Sequence, residues 1–443
     1  MPQHSSCDVA VIGGGAAGLV AAFRAAERGR RTTLFEKNKQ VGVKILMSGG
    51  TRCNITQNTD NRGIVAAYGP PGRFLHSALA AHGVAESVAM FETAGVKTKV
   101  EETGKIFPVS NQASEVRDAL LARAVAADVT IHYNEPLLEL TREANRDAAE
   151  ADRIALAERQ WHTGNEVEAL AGLPRRTAFL LRTARETYRA ASVILTTGGL
   201  SFPGSGTTGD GYRWAANFGH TIVPTRPALV PLTTTQSWVL DLRGITLPDV
   251  NVSIREGSKV LMSQRGSLLF AHFGLTGPAA LDVSRVVSGH ERPGTLVATL
   301  DLLPELHESA LTEQVKSLAA NHGRKALSAA LRTDLPRRLT EQVFALADVP
   351  LDRIGAELSK DERSRLVKHL KQLPIPLSGT LGYKKAEVTA GGVALGEVDS
   401  RTMQSKLAPG LYFAGEILDL DGPIGGYNFQ AAWSTGWLAG ESV

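Results

Sequence analysis

Three glycines set the first chemistry. Gly13-x-Gly15-x-x-Gly18 follows directly on the apolar run Asp8–Ile12, and the segment 16–28 then carries Leu19, Ala22, Phe23 and Ala26 on one helical stripe before Gly29 stops it. Gly13 permits a tight turn, Gly15 lets backbone approach a pyrophosphate, and Gly18 lets the helix pack closely on the strand. Ala16 and Ala17 open that helix, whose free N–H groups and partial positive charge face the phosphates. A second apolar run, Thr32–Phe35, ends in Glu36, 18 positions beyond Gly18, with Lys37 next. A carboxylate at that place accepts hydrogen bonds from an adenosine ribose. In a chain with 44 glycines the spacing alone arises by chance. The strand before it, the helix after it and the acid closing the next strand make it a dinucleotide site.

The other end of the chain selects the dinucleotide. The strand-like run Gly410-Leu-Tyr-Phe-Ala ends in Gly415-Glu416, and Gly425-Gly426-Tyr427-Asn428-Phe-Gln430 leads into a last helix. Flavoproteins of the glutathione-reductase-like group close their FAD site in this way. The strand ends near the ribityl and pyrophosphate region, and the helix N-terminus faces the pyrimidine end of the flavin, where negative charge collects on reduction. Val193-Ile-Leu-Thr-Thr197-Gly198-Gly199 is similar to the Ala-Thr-Gly strand end that lies against the cofactor in such proteins, with Thr196 where Ala is usual. Gly204-x-Gly206-x-x-Gly209 repeats the glycine spacing, but no strand directly precedes it and no strand and acid come after it. It reads as a turn or a substrate-side loop. FAD is therefore the expected cofactor, non-covalent because no attachment motif is present. NAD(P)H is a transient donor at most, because no separate domain for it follows.

Around these motifs the expected fold class is α/β: a discontinuous Rossmann-type FAD-binding domain with an inserted β-barrel-like subdomain and a helical subdomain. Composition changes set the boundaries. Residues 1–223 form the first FAD-binding segment, 224–303 the β subdomain with short runs broken by Gly and Pro, and 304–373 the helical subdomain. Residues 374–443 return to the FAD-binding domain, with a short β stretch near 374–382 going back to the barrel. Residues 37–72 make a long connection rich in Gly, Ser, Asn, Thr and Lys, of the kind that is functional in a compact domain. Residues 142–178, rich in Ala, Glu and Arg, read as an inserted surface segment. No internal repeat is found.

The chain resembles a bacterial FAD-dependent family often labelled BaiN-like or aminoacetone-oxidase-like. The resemblance rests on Lys44-Ile-Leu-Met-Ser-Gly-Gly-Thr-Arg-Cys-Asn54, Gly104-Lys-Ile-Phe-Pro-Val-Ser110, Gly198–Pro203 with Gly209–Tyr212, Leu269–Pro278, Thr389–Val393, and Gly415–Gly422 with Gly425–Asn428. It covers nearly the whole chain apart from 142–178. Thr51 stands where the family commonly has Gly, Val43 where a basic residue is common, and Lys105 where Arg is common. The resemblance implies that the 42–54 loop runs along the FAD. On that reading Lys44 and Arg52 neutralise phosphate or reduced flavin, and Ser48, Gly49, Gly50 and Asn54 offer short donors. Cys53 is a packed residue, a flavin neighbour or a redox thiol. His272 and Tyr427 are candidates for proton transfer or substrate contact, neither assigned as a catalytic base.

Composition closes off other classes. With 48 Lys and Arg against 45 Asp and Glu the net charge is +3, no broad basic field, so nucleic acid is not the expected partner, although a local basic patch is compatible. Two cysteines, Cys7 and Cys53, form no CxxC, and no metal site is expected. No run reaches membrane-span length, and the expected location is the cytoplasm. The expected function is an FAD-dependent oxidoreductase moving hydride between a small organic substrate or NAD(P)H and the flavin. The alternatives are a flavin-dependent RNA-modifying enzyme and a non-catalytic flavin-binding redox sensor. Oligomeric state stays open.

Overall fold

The structure, a computed structural model, describes residues 5–143, 178–321, 326–331 and 335–443. The inserted segment expected at 142–178 falls almost wholly outside the described residues. The chain forms two compact units, Met1–Thr225 with Gly391–Val443, and Arg226–Ala390.

The first unit is built on a parallel sheet. Thr130–His132, Thr32–Phe35, Ser5–Ile12 and Thr187–Leu195 lie side by side in that order, all parallel. Val9, Ala10, Val11, Val193, Ile194 and Leu195 are all but inaccessible, the pattern of strands covered on both faces. The nine-residue strand Thr187–Leu195 forks. Its first half pairs antiparallel with Phe179–Thr183, which pairs in turn with Leu137–Arg142. Its second half pairs in parallel with Leu411–Phe413 from the far end of the chain. That fork makes the FAD-binding domain discontinuous: the first segment lacks a strand until the last fifty residues return.

Two helices lie close together beside this sheet, Ala16–Glu27 and the C-terminal Tyr427–Ser442. Gly436 and Gly440 stand one helical turn apart, and a Cβ on either would collide with the carbonyl of Ala17 or Ala21. A buried polar network ties the C-terminal helix to the rest of the unit. Trp433 Nε1 donates to the Ile55 carbonyl at 2.9 Å, and Thr56 Oγ1 donates to Gln430 Oε1 at 2.7 Å. Gln430 Nε2 reaches Ser87 and Ser434, and Ser434 donates to the His82 carbonyl. Each partner compensates the other's desolvation.

The second unit is an antiparallel seven-stranded sheet. Its order is Leu373–Pro376, Val297–Asp301, Thr246–Glu256, Lys259–Ala271, Gly274–Thr276, Leu232–Thr233 and Gly379–Thr380. Within the 224–303 stretch of β runs, the structure adds a helix, Pro278–Ser288. Its Gly277-Pro278 start reads locally as a turn, and its buried Ala279, Ala280, Val283 and Val287 give only a short helical stripe. Leu311, Val315, Leu339, Val343, Leu366 and Leu370 share one core with strand residues Leu300, Leu373 and Ile375. The helical stretch thus belongs to the same compact unit as the sheet, and the unit boundaries fall at Arg226 and Ala390. Among the described residues no helix is long and apolar enough to cross a membrane, and no His, Cys, Asp and Glu cluster could hold a metal ion.

His82 gives the first unit a pH dependence. It is 3% exposed and stacks on Trp437 at 4.6 Å between ring centroids. Burial pulls its pKa from 6.5 down to about 4, with Arg123 and Arg24 pulling the same way and Glu86 opposing. The folded state therefore holds the neutral ring. Its contribution is fully present above the unfolded value and is lost as pH falls from 6.5 towards 4. Across that window the unfolding free energy should drop by roughly 3 kcal/mol from this group. Urea titrations at stepped pH on the wild type and His82→Phe test it: equal slopes for the two proteins would refute the assignment.

Candidate functional site

The glycine turn is held from behind. Thr196, unusual for its motif, donates its hydroxyl to the carbonyl oxygens of Ile12 and Gly13 at 2.9 and 2.8 Å. A Cβ on Gly13 would lie 2.8 Å from the Thr196 carbonyl oxygen and 3.1 Å from Thr197 Cα, and one on Gly18 would overlap the Gly13 carbonyl. Thr197, Gly198 and Gly199 follow this contact, so the ends of the Ser5–Ile12 and Thr187–Leu195 strands meet at the glycine turn. Gly15 differs from its neighbours. Its φ is −81°, which any residue adopts, and an added Cβ would meet no protein atom within 4 Å. Neither backbone strain nor protein packing requires glycine there. Gly15 also caps helix Ala16–Glu27, with no side-chain cap and no acid in the first turn, so the helix presents unsatisfied N–H groups.

Glu36 closes its strand, 6% exposed. Its two carboxylate oxygens accept from the backbone N–H groups of Gly14 and Asn38, both at 2.8 Å. Burial pushes its pKa up against those bonds. Lys37 turns away. Its ammonium reaches Asp210 at 2.9 Å and Thr208 at 2.5 Å, and Asn38 Nδ2 donates to the Ser205 carbonyl at 3.0 Å. Gly206 packs against Asn38 and Lys37 with φ +99°. The second glycine motif is thus a turn clasped by the residues after Glu36. Its Asp210 is pushed up by burial, but the Lys37 and Thr208 hydrogen bonds outweigh that and leave it below its ordinary value.

The C-terminal motif joins the same place. Gly415 N donates to Thr435 Oγ1 at 3.0 Å, and a Cβ on Gly415 would lie 2.8 Å from Ala17 Cβ. Glu416 pairs with Lys44 at 2.5 Å, linking the 42–54 loop to the chain end. Gly426, φ +91°, packs on Thr56 and starts the C-terminal helix with no side-chain cap. Gly425 sits beside Gln57 Oε1. Tyr427 accepts at its carbonyl from the Tyr68 hydroxyl at 3.0 Å. Asn428 staples the preceding turn, accepting from Gly422 N at 2.8 Å and donating to Gly422 O at 3.0 Å.

The 48–54 loop is strained. Gly49, Gly50, Thr51 and Cys53 all have positive φ, 70° at Thr51 and 57° at Cys53. Ser48 Oγ donates to the Ile45 carbonyl. Arg52 does not stand free: its guanidinium lies 4.0 Å over the Phe107 ring and pairs with Glu101 at 2.7 Å. Asn54 is 8% exposed, and its Oδ1 has no hydrogen-bond partner among the described residues. A buried, unsatisfied acceptor is costly in a finished core and fits a ligand N–H or O–H. Cys53 is inaccessible, and burial pushes its thiol up to about 12 against a Ser48 hydrogen bond. His272 belongs to the second unit, exposed at the end of a strand, its ring against Phe273. Sequence reasoning missed Thr196 as the latch of the turn; the signal was a hydroxyl in place of Ala.

This Rossmann-type domain, with its glycine turn and two helix starts that carry no side-chain cap, is that of a flavoprotein: the protein is an FAD-dependent oxidoreductase. The chain belongs to the HI0933-like family, whose "HI0933-like protein Rossmann domain" matches residues 7–173 and 149–442. It is 32% identical over 440 residues to the ribosomal RNA dihydrouridine synthase of Escherichia coli, covering 98% of each chain. It is 31% identical over 442 residues to the 3-dehydro-bile acid delta(4,6)-reductase of Clostridium scindens, again 98% of each. Among solved structures, the 3-ketosteroid delta1-dehydrogenase of Sterolibacterium denitrificans superposes with a TM-score of 0.49 at 12% identity, over 98% of this chain and 99% of that one.

Two outcomes check the site. Gly15→Val should fold with the urea midpoint of the wild-type apoprotein yet purify without the flavin absorbance band; full yellow occupancy would remove Gly15 from the phosphate turn. Cys53, desolvated and neutral, should stay inert to DTNB in the native protein at about pH 8 and react only in denaturant. A rapidly titrating native thiol that disappears in Cys53→Ala would restore the redox reading.

Proposed function

We propose that this flavoenzyme reduces a carbon–carbon double bond conjugated to a carbonyl group, and that its acceptor is a uracil base in ribosomal RNA. The observation that carries the reading is similarity along essentially the full chain to relatives named for two reactions of one type. Forming dihydrouridine saturates the C5–C6 bond of uracil, conjugated to the C4 carbonyl. A delta(4,6)-reductase of a 3-dehydro acid reduces a double bond conjugated to a 3-oxo group. Each addition takes one hydride and one proton, with NAD(P)H leaving as NAD(P)+. FAD, when bound, supplies the hydride transfer between donor and acceptor.

The chain's own residues bind and orient. The N–H groups at the start of helix Ala16–Glu27 would hold the pyrophosphate, with Gly15 leaving room for it, and Glu36 would take the ribose by exchanging a backbone donor for a hydroxyl. Glu416, with Lys44 balancing its charge, and Gly415 would line the ribityl side. The start of helix Tyr427–Ser442, with Thr197–Gly199, Ser48–Gly50, Cys53 and Asn54, would surround the ring system, where the helix N-terminus favours negative charge. Lys37, Arg52 and Asn428 would act one step back, through Asp210, Phe107 and Gly422. The similarity to the bile-acid reductase supports a second reading, the BaiN-like one, in which the acceptor is a small unsaturated oxo acid.

The test uses the yellow holoprotein without oxygen. NADH or NADPH should bleach the flavin band, and ribosomal RNA from cells lacking this protein should restore it while gaining dihydrouridine. A 3-oxo-4,6-diene bile acid that restores it in place of RNA establishes the second reading. If only oxygen restores the band, the protein is an oxidase and both acceptors are wrong.

A further inference from the structure

The small sheet that carries the 48–57 loop has an outer face whose charge no motif announced. Thr56–Gln57, Lys105–Pro108 and Thr98–Val100 form a three-stranded antiparallel sheet in that order. Residues directly opposite share a face, and residues two apart along a strand share it too. Gln57 stands opposite Lys105, and Lys99 opposite Phe107. Lys97 extends the same row, because Val109 N donates to the Lys97 carbonyl at 2.8 Å beyond the last named pair. Gln57, Lys105, Phe107, Lys99 and Lys97 therefore share one face, and Arg52 joins it by lying over Phe107. Lys97 is exposed and Lys99 and Lys105 are half-buried, so the lysine row reaches solvent, while Phe107 between them is buried with Arg52 over its ring. The opposite face carries the buried Val96, Ile106 and Pro108 and, at the strand end, the exposed Val100.

The cations on this face outnumber their counterions. Glu101 pairs with Arg52, and Glu102 sits at the exposed turn of the hairpin. The ammonium groups of Lys97, Lys99 and Lys105 make no hydrogen bond or ion pair with any described residue. The face also borders the candidate site. Gln57 Oε1 lies beside Gly425, next to the uncapped start of the C-terminal helix. A Cβ on Gly49 would lie 3.2 Å from Phe107 Cε1 and from Asn54 N. A row of free cations along one sheet, ending beside the proposed flavin site, matches a phosphate backbone that feeds one base inward.

We propose that this face is the docking surface for the RNA backbone, with Lys97, Lys99 and Lys105 each neutralising phosphate. The proposal rests on the RNA reading above and adds the surface that reading needs, since the whole chain's charge of +3 supplies none. Lysines contact phosphates as point charges, so this surface holds the substrate without reading its sequence.

The experiment measures binding of a fluorescein-labelled, uridine-containing RNA hairpin by the FAD-loaded full chain, by anisotropy over a range of salt concentrations. Lys97→Ala/Lys99→Ala/Lys105→Ala should weaken binding by about tenfold or more at low salt and lower the slope of log affinity against log salt by roughly two to three. Flavin content and bleaching by NAD(P)H should stay at wild-type level. Lys384→Ala/Lys385→Ala, an exposed pair in the second unit, should leave affinity and slope unchanged. If wild type binds and the triple variant binds equally with the same slope, the surface is wrong while the RNA reading stands. If wild type itself does not bind the hairpin or ribosomal RNA, both fall together.

Discussion

The first and last helices of the first unit touch with no room for a side chain between them. Ala17 and Ala21 of the first helix lie against Gly415, Gly436 and Gly440, more than 390 residues away in sequence, at distances that exclude a side chain. Everything at the candidate site depends on this contact. It sets the start of helix Ala16–Glu27 beside the Gly415-Glu416 turn. Through Thr56, Ile55 and Gln430 it also fixes where helix Tyr427–Ser442 begins. A chain that must bring its first and last tenths together before the site exists pays the loop-closure entropy early. The intervening Arg226–Ala390 unit has its own core, so much of that loop is already compact when the ends meet.

The same constraint explains why the loop from Ser48 to Asn54 is strained and not relaxed. It passes between Phe107 and the chain end, tied by Lys44–Glu416 on one side and Arg52–Glu101 on the other. Two residues with side chains, Thr51 and Cys53, stand in the left-handed region within this short span, each against a conformational preference of order 1 kcal/mol. The packing of Cys53, wholly buried, and the Ala113 N–H bond to the Thr51 carbonyl hold them there. Strain held in place by surrounding structure is typical of ligand-facing loops, and here it presents the unsatisfied amide of Asn54.

Much of this was legible from residue order because the informative features are local. A strand, a glycine turn, a helix and an acid within 36 residues leave one reading, and in the structure the helix starts at Ala16 and ends one residue early, the second strand runs Thr32–Phe35, and the first strand begins three residues earlier, at Ser5. The joining of both chain ends was legible through the second motif. The destinations of long side chains were not. Lys37 and Arg52 pair with Asp210 and Glu101, partners set by tertiary packing that no spacing encodes, whereas Asn428 closes a local turn on Gly422. Helix Pro278–Ser288 was hidden because Gly and Pro mark both turns and helix starts.

Those side-chain destinations govern the electrostatics near the site. Lys37 and Lys44 are each committed to a carboxylate, so neither adds a free positive charge beside the glycine turn. On the proposed placement, attraction for a dianionic pyrophosphate would fall to oriented backbone: the N–H groups after Gly15, on a helix with no acid in its first turn. Such dipoles act at short range and cannot be titrated or screened away as surface lysines can. The lysines left uncommitted stand outside, on the sheet beside the loop, where salt-sensitive attraction would serve a large polyanion that must bind and leave. A tightly held cofactor and an exchanging substrate call for different kinds of positive charge, and on the proposed reading this chain would keep the two in separate places.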